Sequence, residues 1–130
     1  MISRSEEAAE KKRSGKYNCA QAVACTYCDI AGIDSDRMQA ITSAFGTGMG
    51  TLDGTCGALV GAGVVAGCVV GDRVRSRAAM KQIMEEFKRR HGAVTCRALK
   101  GIDTRTPLLE CNDCVAEAAS ILEETLLNRE

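Results

Sequence analysis

Phe45–Gly71 reads FGTGMGTLDGTCGALVGAGVVAGCVVG, and the fold turns on how this stretch is understood. A glycine-rich loop runs into Thr55-Cys56-Gly57-Ala58 and then into an apolar run with little bulk. Three chemistries compete for it: a phosphate cradle, a membrane segment, or a cysteine at the mouth of a buried helix. Gly46-Thr47-Gly48-Met49-Gly50 lacks the preceding strand and the Gly-Lys-Ser/Thr ending that a phosphate loop needs. Ala58–Val70 falls short of the ~20 apolar residues of a membrane span. Gly57, Gly61, Gly63 and Gly67 each cost a helix roughly 1 kcal/mol relative to alanine. That cost has a purpose where neighbouring helices must approach the backbone closely. The stretch therefore predicts a central, buried helix to about Val70, capped by Thr55, with Cys56 in its first turn.

Working outward, the pattern stays helical. Ser3–Arg13 is rich in Glu, Ala and Lys, and Gly15 ends it. Asn18 caps a second helix, Cys19 to about Ala31, stopped by Gly32. Ser35 caps a third, Asp36–Phe45, with Met38, Ile41 and Phe45 along one face. Asp72–Arg90 is amphipathic, with Val74, Ala78, Ile83 and Phe87 set against a charged remainder, and Gly92 closes it. Thr95 caps a short turn through Leu99 that ends at Gly101. Thr104–Pro107 is a connector, and the last helix spans about Asn112–Leu127. No stretch alternates with a strand's period of two over a useful length. The expectation is an all-α, single-domain bundle of five to six helices spanning residues 1–130.

Composition narrows the function. Seventeen basic and seventeen acidic residues leave no net charge, and with two Phe, two Tyr and no Trp there is neither the charge nor the stacking surface for nucleic acid. Eight cysteines carry the information. The amino-terminal MISRSEEAAEKKRSG has no apolar signal region, so the cysteines are expected to be thiols, metal ligands or redox centres in a reducing cytoplasm rather than disulfides.

Cys19, Cys56 and Cys96 each follow a capping residue, Asn18, Thr55 and Thr95, and Cys111 lies just before Asn112 and Asp113 at the start of the last helix. A helix N-terminus offers unpaired N–H groups and a partial positive charge, which favour the thiolate that binds metal or attacks a disulfide. For one such cysteine, plain burial of a small apolar side chain is the commoner explanation; several in one short chain shift the balance. The long gaps between them match no zinc-finger spacing.

The blocks Asn18-Cys19-Ala20-Gln21-Ala22-Val23 and Gly54-Thr55-Cys56-Gly57-Ala58-Leu59-Val60-Gly61, then Cys96 with Leu99 and Gly101, then Cys111 with Val115, resemble the C-GCAxxG-C-C family of redox-active proteins. The resemblance runs from about Gly15 to Leu126. It implies a small helical domain holding an iron–sulfur cluster or another redox centre on four cysteines, which map onto Cys19, Cys56, Cys96 and Cys111. This chain adds Cys25, Cys28, Cys68 and Cys114, and its segment before Cys111 is short, which leaves Cys114 as an alternative fourth ligand.

Other candidates are weaker. Cys25-Thr26-Tyr27-Cys28 and Cys111-Asn112-Asp113-Cys114 are both C-x-x-C pairs. Cys25 lies two turns inside its helix, where core packing explains it, whereas the Cys111/Cys114 pair leaves a dithiol role open. Cys68 is expected to be packed in the central helix. His91 ends a helix beside Arg89 and Arg90, a structural placement. No paired-acid or Ser-His-Asp set supports hydrolysis, so the thiols alone bear on whether the chain is an enzyme. The leading expectation is electron transfer or redox sensing through a cluster, [2Fe–2S] in type, on Cys19, Cys56, Cys96 and Cys111. The alternatives are a thiol–disulfide module using Cys56 with Cys111 or Cys114, and zinc on the same four thiolates. A redox partner protein is implied, membrane insertion is not, and a homodimer through the small-residue helix is compatible with the sequence.

Overall fold

The structure, a computed structural model, describes residues 1–128. Its helices are α1 (Ser5–Arg13), α2 (Cys19–Thr26), α3 (Cys28–Ala31), α4 (Ser35–Thr42), α5 (Gly57–Val70), α6 (Arg73–His91), α7 (Cys96–Lys100) and α8 (Cys111–Leu122), followed by a π-helical turn, Glu123–Leu127. Six of these helices have eight residues or more, in keeping with the expected all-α bundle. Among the described residues there is no strand, only an isolated antiparallel bridge between Thr55 and Thr95. Among the described residues no helix is long and apolar enough to cross a membrane.

α5 sits at the centre, with α2, α6 and α8 packed around it, α1 lying on α8 and α2, and α4 on α2. Its glycines make this possible. A Cβ on Gly61 would stand 2.5 Å from the carbonyl oxygen of Ala20, so α2 and α5 meet backbone to backbone. Ala58, Leu59, Ala62, Val65 and Ala66 are buried against one contiguous core that includes Val23, Tyr27, Met38, Ile83, Phe87, Val115 and Leu122.

Several boundaries differ from the sequence reading, each for a local reason. The expected helix Cys19–Ala31 breaks at Tyr27, whose φ of −117° and ψ of 25° separate α2 from α3. Tyr27 is fully buried, and its hydroxyl donates to Oε2 of Glu123 at 2.6 Å. The same carboxylate oxygen accepts the backbone N–H of Arg4 at 2.7 Å, and the Arg4 guanidinium pairs with Asp29 at 2.7 Å. This clamp joins the chain's start, the α2–α3 break and the π-turn. Asp34, not Ser35, caps α4, accepting from the N–H of Arg37, and the helix ends at Thr42, short of Phe45. Ile41 is accordingly exposed, and Met38 with Thr42 forms the buried face. Cys56 itself, not Thr55, occupies the N-cap position of α5, because the backbone of Thr55 is committed to the bridge with Thr95. On α6 the buried stripe is Ala79, Ile83 and Phe87, while Val74 and Ala78 are exposed. The turn end of the α5–α6 hairpin faces solvent, which also leaves Cys68 exposed rather than packed.

Candidate functional site

The two motif blocks of the sequence are a single packing arrangement. Asn18 closes a capping box on α2: its Oδ1 accepts from the N–H of Gln21 at 2.7 Å, and its own N–H donates to Oε1 of Gln21 at 2.9 Å. Its Nδ2 donates to the carbonyls of Thr42 and Ser43, which ties the end of α4 to the start of α2. Cys19 is thereby fixed at the first helical position. Directly across lies Gly57, where a Cβ would fall 2.7 Å from the Phe45 carbonyl oxygen and 3.2 Å from the Cβ of Cys19. Only a glycine after Cys56 lets the two cysteine-bearing helix starts approach this closely. The bridge adds the third: the N–H of Cys56 donates to the carbonyl of Val94 at 2.7 Å, and the N–H of Cys96 donates to that of Gly54 at 3.0 Å. Gly48 leaves room for Cys96, since a Cβ there would lie 2.7 Å from the Cys96 Cβ. Thr47, Met49 and Leu52, all with φ between 53° and 69°, hold the loop in the left-handed region, a strained path for residues with side chains.

These elements enclose one chamber of about 50 Å³, partly open to solvent. Cys19, Cys56, Cys96, Cys111 and Cys114 all line it, with Lys12 and Lys100 also on its wall. All four cysteines expected from the sequence therefore meet, and Cys114 joins them as a fifth. Its membership follows from spacing: residues three apart on a helix share a face, and Cys111 opens α8. The sequence reading missed the two lysines, which come from α1 and α7 and have no local motif.

The thiols are not equivalent. The Cys19 thiol donates to the Cys111 sulfur, which, with Lys100 and Lys12 nearby, pulls Cys111 down to about 6 against an ordinary 9.0 and pushes Cys19 up. Cys56 is lowered too, by the thiol of Cys114 and by the backbone N–H groups of Ala58 and Leu59 at the α5 N-terminus. Cys114, whose Sγ donates to the Leu109 carbonyl at 3.7 Å, is raised by the adjacent Cys56 sulfur and by burial, and burial raises Cys96. Cys56 and Cys111 are thus shifted toward the thiolate, and Cys19, Cys96 and Cys114 away from it. Among the described residues, no three His, Cys, Asp or Glu side chains stand grouped as a ready-made site for a single metal ion.

The remaining candidates lie elsewhere. Cys25 and Cys28 face each other across the α2–α3 break, and burial, the largest cause, raises both, Cys25 to about 11. His91 Nε2 lies 2.9 Å from Oε1 of Glu117, tying α6 to α8. All eight cysteines are free thiols.

No curated protein and no solved structure matches the chain. One family model does, over residues 17–125, under the description "Putative redox-active protein (C_GCAxxG_C_C)". That span takes in every cysteine of the chamber and most of the chain, and the protein belongs to the C_GCAxxG_C_C family of cysteine-rich redox proteins.

Proposed function

We propose that the chain is an electron-transfer or redox-sensing protein whose centre is an iron–sulfur cluster, [2Fe–2S] in type, on the thiolates of Cys19, Cys56, Cys96 and Cys111. The observation that carries this reading is the convergence of five cysteines from four helix starts on one chamber. The donor set fits such a group: thiolates are its standard ligands, and ligands scattered through the chain can hold it. When bound, the cluster would supply one-electron chemistry at a potential tuned by charge, hydrogen bonding and burial. This chain's residues provide those conditions. Cys56 and Cys111 already favour the thiolate. Lys12 and Lys100 offset negative charge, the N–H groups at the start of α5 point to the Cys56 sulfur, and Leu99 and Leu109 exclude water from the wall. A single zinc ion would need four sulfurs about 3.8 Å apart around it, by the tetrahedral Zn–S length, and the sulfur arrangement supports that reading least.

A specific observation favours a second reading. In the pairs Cys19–Cys111 and Cys56–Cys114 a thiol shifted up stands beside one shifted toward the thiolate, the arrangement of a dithiol that cycles with a disulfide. Free thiols at all eight positions fit a reducing compartment such as the cytoplasm, where we place the chain.

Anaerobic purification with visible absorption and iron, sulfide and zinc analysis tests these readings. The cluster reading expects colour with iron and acid-labile sulfide, and loss of colour on replacing Cys19, Cys56, Cys96 or Cys111 with Ser while Cys25→Ser and Cys68→Ser keep it. Loss on Cys114→Ser but not Cys111→Ser would reassign the fourth ligand. A colourless, iron-free protein that a small disulfide converts to internal Cys19–Cys111 or Cys56–Cys114 bonds would establish the dithiol reading instead.

A further inference from the structure

The outward face of α5 carries no polar side chain. Val60, Gly63, Val64 and Gly67 are only half-buried, and among the described residues nothing lies within 4 Å of a Cβ placed on Gly67. Beside this face, Met80 and Met84 of α6, with Phe45, Met49 and Thr55 of the glycine loop, complete a groove of about 480 Å³ that is apolar except for Thr55. Met49 is 41% exposed. Water-soluble helices ordinarily turn a charged face outward; this one presents a shallow track flanked by three adaptable methionines.

The rim carries an excess of positive charge. The α6 sequence holds seven Lys and Arg against two Glu, in a chain with no net charge overall. Arg73 and Arg77 continue the face of Met80 and Met84 by helical spacing, and both are exposed. Among the described residues no carboxylate pairs with either arginine, and the neighbouring Lys81 reaches Glu85 only at 3.8 Å.

The groove's far wall is the site itself. Thr55 lines the groove and Cys56 the chamber; Met49 lines the groove, while Gly48 abuts Cys96. The glycine loop is a septum one backbone thick, with apolar surface on one side and thiols on the other.

We propose that the α5–α6 groove docks an acidic amphipathic helix of a redox partner protein, seated against the glycine loop opposite the thiols. The partner's redox role rests on the function proposed above; the docking chemistry does not. Apolar positions at Val60, Val64 and Gly67 have the spacing that receives anchors repeating every turn of a bound helix. The cationic rim selects carboxylates and speeds their encounter. A second copy of the chain fits less well, because a twofold contact sets the same patch on both partners and brings the cationic rim against itself.

The probe is a helical peptide with Leu at i, i+4 and i+7 and Glu elsewhere, beside a twin with Lys for Glu. Amide shifts of the purified chain are followed by NMR. The expected result is binding of the Glu peptide alone, with shifts at Val60, Gly63, Val64, Met80 and Met84. The double variant R73E/R77E, at exposed positions away from the core, should weaken it roughly tenfold or more. Should that variant fail to fold, raising salt from about 50 to about 500 mM on the unaltered chain should weaken binding to a similar degree. Absence of binding, equal binding of both peptides, indifference to salt, or shifts confined to the chamber around Lys12 and Lys100 would overturn the proposal. Concentration-dependent self-association broadening the same groove residues without peptide would also overturn it, identifying a second copy as the occupant. Binding is read without any cluster, so a negative iron analysis and a negative titration refute different claims.

Discussion

Alanine placed at two glycines of the same helix should move stability in opposite directions. Both Gly61 and Gly67 lie within α5, and each replacement gains up to about 1 kcal/mol in helix propensity. At Gly67 nothing lies within 4 Å of the new Cβ, so Gly67→Ala should keep that gain, raising Tm by about 4 °C for a domain of this size. At Gly61 the new Cβ would meet the Ala20 carbonyl oxygen at 2.5 Å, where ordinary contact begins at 3.4 Å, so the helices must part by about 0.9 Å. The obstacle is backbone, which has no rotamer to yield. Overpacking of this kind costs about 1–3 kcal/mol; with a propensity gain of up to about 1 kcal/mol set against it, Gly61→Ala should lose up to about 2 kcal/mol, lowering Tm by up to about 8 °C. Because α2 begins with Cys19 and α5 is capped by Cys56, the same displacement should weaken or shift any chromophore of the chamber. Urea and thermal unfolding of the two variants beside the parent would decide it. A Gly61→Ala protein as stable as Gly67→Ala would refute the claim that glycine at Gly61 serves close helix approach.

Tyr27→Phe removes the hydroxyl that donates to the buried carboxylate of Glu123, leaving that oxygen with the Arg4 N–H; hydrogen bonds to charged groups of this kind contribute about 1.5–3 kcal/mol, and a loss below about 0.5 kcal/mol in urea unfolding would contradict the clamp. In the metal-free protein, alkylation of Cys111 should rise through a pH of about 6, well below the 9.0 of an ordinary thiol. The sign for stability follows: a thiol lowered on folding favours the folded state increasingly as pH climbs from about 6 to 9.0, and that contribution disappears as pH falls through about 6. Cys19→Ala removes the main donor and should move the alkylation midpoint upward; an unchanged midpoint would assign the shift to Lys100 and Lys12 instead.

The helical class was legible because glycines and caps punctuate the chain so clearly: Asn18, Thr95, Gly32, Gly92 and Gly101 all act where the sequence puts them. What failed was local detail decided by distant partners. The break at Tyr27 depends on Glu123, nearly a hundred residues away, and no propensity records it. Thr55 looks like a cap, yet the bridge to Thr95 claims its backbone, and the cap position passes to Cys56. The face of α6 was misjudged because Val74 and Ala78 fit the period but stand at the solvent end of the hairpin. The four chamber cysteines were legible through a resemblance whose spacing makes sense only in three dimensions, with Gly57 beside Cys19 and Gly61 beside Ala20. Lys12 and Lys100 carried no signal, since a lone lysine on a short or charged helix is ordinary.

The bridge between Thr55 and Thr95 also has a consequence in time. A C-x-x-C site exists as soon as a few residues leave the ribosome, whereas this chamber draws on Cys19, Cys56, Cys96, Cys111 and Cys114. Its walls are contacts of large sequence separation, which form late because long loops must close first. Until α8 has been synthesised and docked, the earlier cysteines are separate thiols on a nascent chain, open to whatever oxidant or stray metal they meet. Translation order thus makes the chamber one of the last products of folding, complete only once α8 has docked.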